Sequence, residues 1–153
     1  MGTSPEIIVR RMTAADISTV YEIETESFKT AWQLDFFESC LKSNEHICLV
    51  AELDKKILLY SIIQTSQIGE VYLLKFAIEK SFRRQGLGKN FLLKLIEQIR
   101  NGKGQILAML LHVNTKNVAA IRLYESCGFK VFKRIENFYA NDNENAFMME
   151  RKI

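Results

Sequence analysis

Residues 70–99 constrain the fold more than any other stretch of this chain. The apolar run "EVYLLKFAIE" passes through "KSFRRQGLGKN" into "FLLKLIEQI", so a strand has to turn within a few residues into a helix. Phe91, Leu92, Leu95, Ile96 and Ile99 recur at helical spacing, which puts Gly86 and Gly88 at a helix N-terminus. Glycine is costly to order there. The spacing suits neither a Walker loop, which ends in Gly-Lys-Ser/Thr, nor a dinucleotide fingerprint, which wants a third glycine. Free amides and the positive end of the helix dipole attract an anion, and residues without side chains let it come close. The alternative at this point is a plain strand-to-helix turn with solvated Arg83, Arg84 and Lys89.

The rest of the chain reads in the same alternating manner. "EIIVRRM" (6–12) predicts a strand, and Asp16 opens a helical pattern carrying Ile17, Val20, Tyr21, Ile23 and Phe28. A shorter helix over 34–42 follows the bend "KTAWQ". Strands over 46–53 and 56–65 flank the polar turn Asp54-Lys55. "EVYLLKFAIE" is apolar on both faces apart from Lys75, as a central strand should be. After the glycine turn and a helix stopped by Asn101 and Gly102 come a buried strand over 105–113 and a helix near 117–127 ended by Gly128. A hairpin of 130–139 and 145–153 closes the chain. The order predicts an α/β fold, a single mixed sheet flanked by helices.

With no repeat or linker, residues 1–153 are expected to form one domain, with 1–5 disordered or a cloning remnant. A hydrophobic content of 48% with 25% charged residues fits an ordinary globular core. A net charge of +3, without a basic stripe carrying interleaved aromatics, argues against a nucleic-acid module built on the basic turn. Cys40, Cys48 and Cys127 are odd in number and lack CxxC spacing, so neither a disulfide frame nor a metal site is expected. No apolar stretch approaches membrane-spanning length, and Glu6, Arg10 and Arg11 break any secretory segment near the start. Glu6 also stands where myristoylation of Gly2 would want Ser or Thr. A cytoplasmic enzyme with no membrane partner is the expectation.

Few residues are candidates for chemistry. His112 ends a buried strand, where open α/β sheets place their ligands; a histidine satisfied by backbone groups is the alternative. Tyr72 shares a strand face with Leu74, Phe76 and Ile78, the pattern of a core aromatic. Tyr124 follows Ile121 at core-packing spacing, Asn117 suits a helix cap, and Cys127 beside Gly128 reads as a small packing residue.

In combination, "FAIEKSFRRQGLGKNFLLKL", "LHVNTKNVAAIRLYESCGFK" and "ENFYANDNENAFMM" resemble the GNAT family of acetyl-CoA-dependent N-acetyltransferases. The likeness is to the branch that acetylates protein N-termini, the RimI type and its eukaryotic relatives. Its specific parts are the Arg/Gln-x-x-Gly-x-Gly signature, Arg83 to Gly88, and "NxxAIxLYExxGF", Asn117 to Phe129. The resemblance implies a seven-stranded, mostly antiparallel sheet with four helices. It implies that the amides of Arg84, Gln85, Gly86, Leu87, Gly88 and Lys89 cradle the coenzyme A pyrophosphate, with Arg83 adding field. Phe76, Ala77 and Ile78 would bind the pantetheine, Asn117 would contact the same arm, and Tyr124 would lie near the thioester sulfur. A peptide would run between the loop at 28–34 (Phe28, Trp32) and the hairpin loop at 138–144 (Tyr139).

Two departures separate the chain from the RimI pattern. His112 stands where RimI-type enzymes carry a glutamate base, and "FKTAWQ" replaces Phe-Pro-Trp-Ser. A histidine there, paired with a tyrosine at Tyr72, is similar instead to the eukaryotic acetyltransferase of methionine-start peptides. The expected reaction is direct transfer: Tyr72 and His112 hold a water that takes the amine proton, the Ile78 amide faces the oxyanion, and Tyr124 donates to the sulfur. An α-amine with a pKa near 8 is about a tenth neutral at pH 7, whereas a lysine amine is well under about one percent neutral. A histidine near 6.5 suits the first acceptor better. The expected partner is a protein or peptide N-terminus, with ribosomal protein S18 the first candidate; a small amine or a lysine side chain is the alternative acceptor.

Overall fold

Asp54 and Lys55 join two long apolar strands, and both adopt left-handed backbone angles (φ 50 and 66), as a two-residue hairpin requires. The strands they connect, β2 (His46–Leu53) and β3 (Lys56–Thr65), pair antiparallel from His46↔Gln64 to Leu53↔Lys56, with a bulge at Ala51/Glu52. The computed structural model describes residues 6–102, 104–139 and 143–153. The expectation for residues 1–5 lies outside them.

The remaining elements are β1 (Ile8–Arg11), α1 (Ile17–Ser27), α2 (Leu34–Lys42), β4 (Glu70–Ile78), α3 (Leu87–Arg100), β5 (Ala108–Asn114), α4 (Val118–Ser126), β6 (Lys130–Tyr139) and β7 (Glu144–Lys152). Among the described residues the seven strands form one sheet in the order β1-β2-β3-β4-β5-β7-β6. β4 and β5 run parallel, from Glu70↔Ala108 to Leu73↔Leu111, and a parallel pair needs a crossover, here α3. The backbone groups into two compact units: the chain through Gln64 with Lys75–Gly88, and Thr65–Leu74 with Lys89–Ile153.

In the first unit, the apolar stripe of α1 (Ile17, Val20, Ile23) and Phe37 of α2 pack with Val50, Tyr60, Ile62 and Ala77. The start of α1 is fixed electrostatically. Arg10 of β1 forms a two-pronged pair with Asp16 at 2.7 and 2.8 Å and also binds Glu52 of β2, and the Thr13 N–H donates to Asp16 Oδ2. The Arg10 guanidinium beside Asp16 holds its carboxyl at about 2, outweighing the opposing effect of burial.

In the second unit, Phe91, Leu92, Leu95 and Ile96 of α3 are buried, as are Met109, Leu111, Phe129 and Met149. Gly128 (φ 91) ends α4, and the Phe129 N–H returns to the Tyr124 carbonyl at 3.0 Å. Two expectations change in detail. β5 begins at Ala108, not 105, because the Leu107 N–H is taken by the Gly69 carbonyl and its side chain is exposed. β4 is not covered on both faces: Val71, Leu73 and Ala77 are buried, while Tyr72 is half-buried and Leu74 exposed.

Candidate active site

The chain leaves β4 through a tight turn at Lys80–Phe82, where the Glu79 carboxylate accepts the Ser81 N–H at 3.0 Å. Arg84 (φ 64) and Gly86 (φ 76) then both take left-handed angles before α3 begins. Such curled backbone presents successive N–H groups to an anion. A Cβ built at Gly86 would meet nothing within 4 Å. Glycine is therefore demanded by the backbone angle, and the space above it is open, which fits the approach of a phosphate group. The Arg83 side chain is committed elsewhere, its Nε donating to the Ile78 carbonyl at 3.0 Å and its Nη2 to Ser27 Oγ at 2.9 Å. It ties the turn to the end of β4 and to α1, a role the sequence does not suggest.

Phe28 and Trp32 lie in the six irregular residues between α1 and α2, and both are half-buried. Trp32 packs on Phe36 and Phe37 with ring centroids 5.7 and 5.8 Å away. Beneath them lies a charged cluster. Glu24 is fully buried on α1, and its carboxylate accepts the Trp32 N–H at 2.9 Å, the Tyr60 hydroxyl, and the Lys75 ammonium at 3.0 Å. Lys75 Nζ also sits 3.9 Å from the Phe28 ring centre and 4.9 Å from that of Trp32. Burial lowers the Lys75 pKa, against the opposing pull of Glu24. The available signal was a charge inside each apolar pattern: Glu24 beside Ile23, and Lys75 within β4.

In the second unit, Tyr72 stands abreast of Leu110, and His112 follows Leu110 by two residues, so both project from one face of the β4–β5 pair. Each of the two side chains has a partner of its own. The Tyr72 hydroxyl donates to Glu70 Oε2 at 3.1 Å. The half-buried His112 ring stacks on Phe138, with centroids 4.5 Å apart and planes 10° from parallel. Burial lowers the His112 pKa, so the ring is neutral at pH 7. Tyr139 meets Phe138 edge-on at 4.9 Å and pairs with Glu144, which accepts the Asn114 side-chain amide. Residues 140–142 of the expected peptide loop lie outside the described residues.

Tyr124 is buried edge-on to Phe129 at 5.9 Å, and burial, then Tyr139 and Cys127, push its pKa up, so it keeps its proton. Asn117 caps α4, its Oδ1 accepting the Ala120 N–H at 3.2 Å. Cys127 is buried with a raised pKa, as is Cys48, pushed up to about 11, so neither is an activated nucleophile. Among the described residues no three His, Cys, Asp or Glu side chains are grouped to hold a metal, and no helix is long and apolar enough to cross a membrane.

Known proteins converge on this architecture. The chain is 28% identical to the ribosomal protein bS18-alanine N-acetyltransferase of Salmonella typhimurium, over 93% of this chain and 95% of the relative. Its fold matches the crystal structure of the Escherichia coli ribosomal-protein-S18-alanine N-acetyltransferase with a TM-score of 0.86 at 26% identity, covering 97% and 94% of the two chains. Arabidopsis thaliana NAA60, solved with acetyl-CoA, shares the fold with a TM-score of 0.84 at 18% identity, over 97% and 99% of the chains. Residues 15–129, which hold the glycine turn, His112 and Tyr124, match the model of the acetyltransferase (GNAT) family. The chain belongs to that family, and it is an N-acetyltransferase.

Proposed function

We propose that this acetyltransferase modifies the N-terminal α-amine of a protein by direct transfer, as one cytoplasmic catalytic domain, with His112 as the base. The observation that carries the reading is the half-buried His112 ring, stacked on Phe138 at the carboxyl end of β5, where a RimI-type enzyme would carry a carboxylate; burial there favours its neutral form. A weak neutral base suits an amine that is already partly neutral at pH 7.

Acetyl-CoA supplies the activated acetyl thioester. The amides of residues 84–89 would hold its pyrophosphate, and the backbone of Phe76, Ala77 and Ile78 with Asn117 its pantetheine arm. The open position at Gly86 supports the first assignment. His112 accepts the amine proton through a water that Tyr72 helps to hold, and Glu70 orients the Tyr72 hydroxyl. Tyr124 retains its hydroxyl proton for donation to sulfur. Phe28, Trp32 and Tyr139 contact the acceptor peptide, for which the similarity to bS18-specific relatives makes ribosomal protein S18 the first candidate.

The test is competition between two peptides in one reaction with acetyl-CoA, read by mass spectrometry. One carries the S18 N-terminus and the other begins with methionine. Acetylation of either at its α-amine supports the reading, and the ratio assigns the acceptor. Acetylation of neither, with turnover of polyamines, contradicts it.

A further inference from the structure

We propose that Glu24 and Lys75 form a buried clamp that positions the bend between α1 and α2 and thereby sets the affinity for the acceptor. This rests on the reading above in one respect, that Phe28 and Trp32 face the acceptor. The bend is six residues without regular structure, and it carries the two rings. Within it the Trp32 N–H donates to the Glu24 carboxylate, eight residues earlier, at 2.9 Å. The same carboxylate gathers Tyr60 of β3 and Lys75 of β4. Lys75 then lies beneath both rings, at 3.9 and 4.9 Å from their centres. Three donors from separate parts of the chain thus converge on one fully buried carboxylate.

A buried pair of this kind is poor evidence for stability, because desolvation offsets much of the attraction. Its use is specificity: few other positions of the bend satisfy the carboxylate and the ammonium together. A bend held by apolar contacts alone would slide among several packings at similar energy. Glu24 and Lys75 act through Phe28 and Trp32, so they are positioning residues, and their effect belongs in acceptor KM.

Trp32 is the one tryptophan of the chain, so its fluorescence reports the bend directly. The test is the double variant Glu24→Gln with Lys75→Met, which removes both charges and keeps the volume. Trp32 emission should shift and become more accessible to acrylamide. Acceptor KM should rise about tenfold, while acetyl-CoA KM and kcat stay within about twofold. Tyr60→Phe, which removes one donor and keeps the ion pair, should raise acceptor KM about threefold, and decides the matter should the double variant fail to fold. Unchanged acceptor KM, or equal rises in both KM values, overturns the clamp. An unmoved Trp32 in an enzyme that acetylates peptides also overturns it. A wild type that leaves peptide α-amines untouched, yet whose Trp32 emission shifts in the double variant, overturns the acceptor reading and upholds the clamp.

Discussion

In the proposed reaction His112 would act as a base and Tyr124 as an acid, and burial favours the form each role needs: the neutral histidine and the neutral tyrosine. His112→Ala should lower kcat by about a hundredfold to ten-thousandfold, with acetyl-CoA affinity unchanged by calorimetry. Tyr72→Phe keeps the ring and removes the bond to Glu70; a smaller loss in kcat is expected, measured with the same peptide. Full activity in His112→Ala would move the base to Glu70. The sign of the pH effect follows from the direction of the shift. Folded His112 binds its proton less readily than the unfolded chain, so its contribution to stability is complete above about pH 6.5 and is lost as pH falls below that.

At the scale of elements, the glycine turn carries the sharpest expectation. Gly86→Val forces a β-branched residue to φ 76, where no neighbour crowds it but the backbone itself resists. The Kd for acetyl-CoA should rise at least about tenfold, whereas Gly86→Asn, which tolerates the left-handed angle, should retain most binding. Lys89→Ala should cost less than about threefold. Equal binding by Gly86→Val would remove the turn from the cofactor site. The β1–α1 junction offers a second test. Asp16 ionises at about 2 when folded and near 3.8 when not, so its pairing with Arg10 stabilises fully above pH 3.8 and is lost as pH falls toward 2. Asp16→Asn should cost roughly 2 kcal/mol at pH 7 and flatten the acid limb of thermal melts between pH 4 and 2.

Most of these elements were legible because their signals are local: period-two and period-3.6 apolar patterns, a two-residue turn, and glycines at helix ends. α2 and both strands of the β2–β3 hairpin lie where the spacing predicts them. What escaped depends on distant residues meeting. The stacking of Phe138 on His112 requires the strand order β5-β7-β6, which no window of sequence encodes. Glu24 and Lys75 look like two unrelated exceptions in apolar patterns until their elements pack together. The Tyr72 hydroxyl went to Glu70, two residues earlier on the same strand face, a partner that alternation could have supplied.

At the scale of the whole molecule, membership of the GNAT family gives the reaction class, acetyl transfer, while the acceptor depends on short segments and single side chains. The proposed acceptor nitrogen is an α-amine, for which a neutral histidine would be a sufficient base. One peptide in two forms tests this most directly: one with a free N-terminus and blocked lysines, the other with a blocked N-terminus and free lysines. Each is incubated with acetyl-CoA across pH 6 to 9 and followed by mass spectrometry. Acetylation of the first form alone is expected, at a rate that rises with pH and levels off above the α-amine pKa near 8. Faster modification of the lysine form would contradict it.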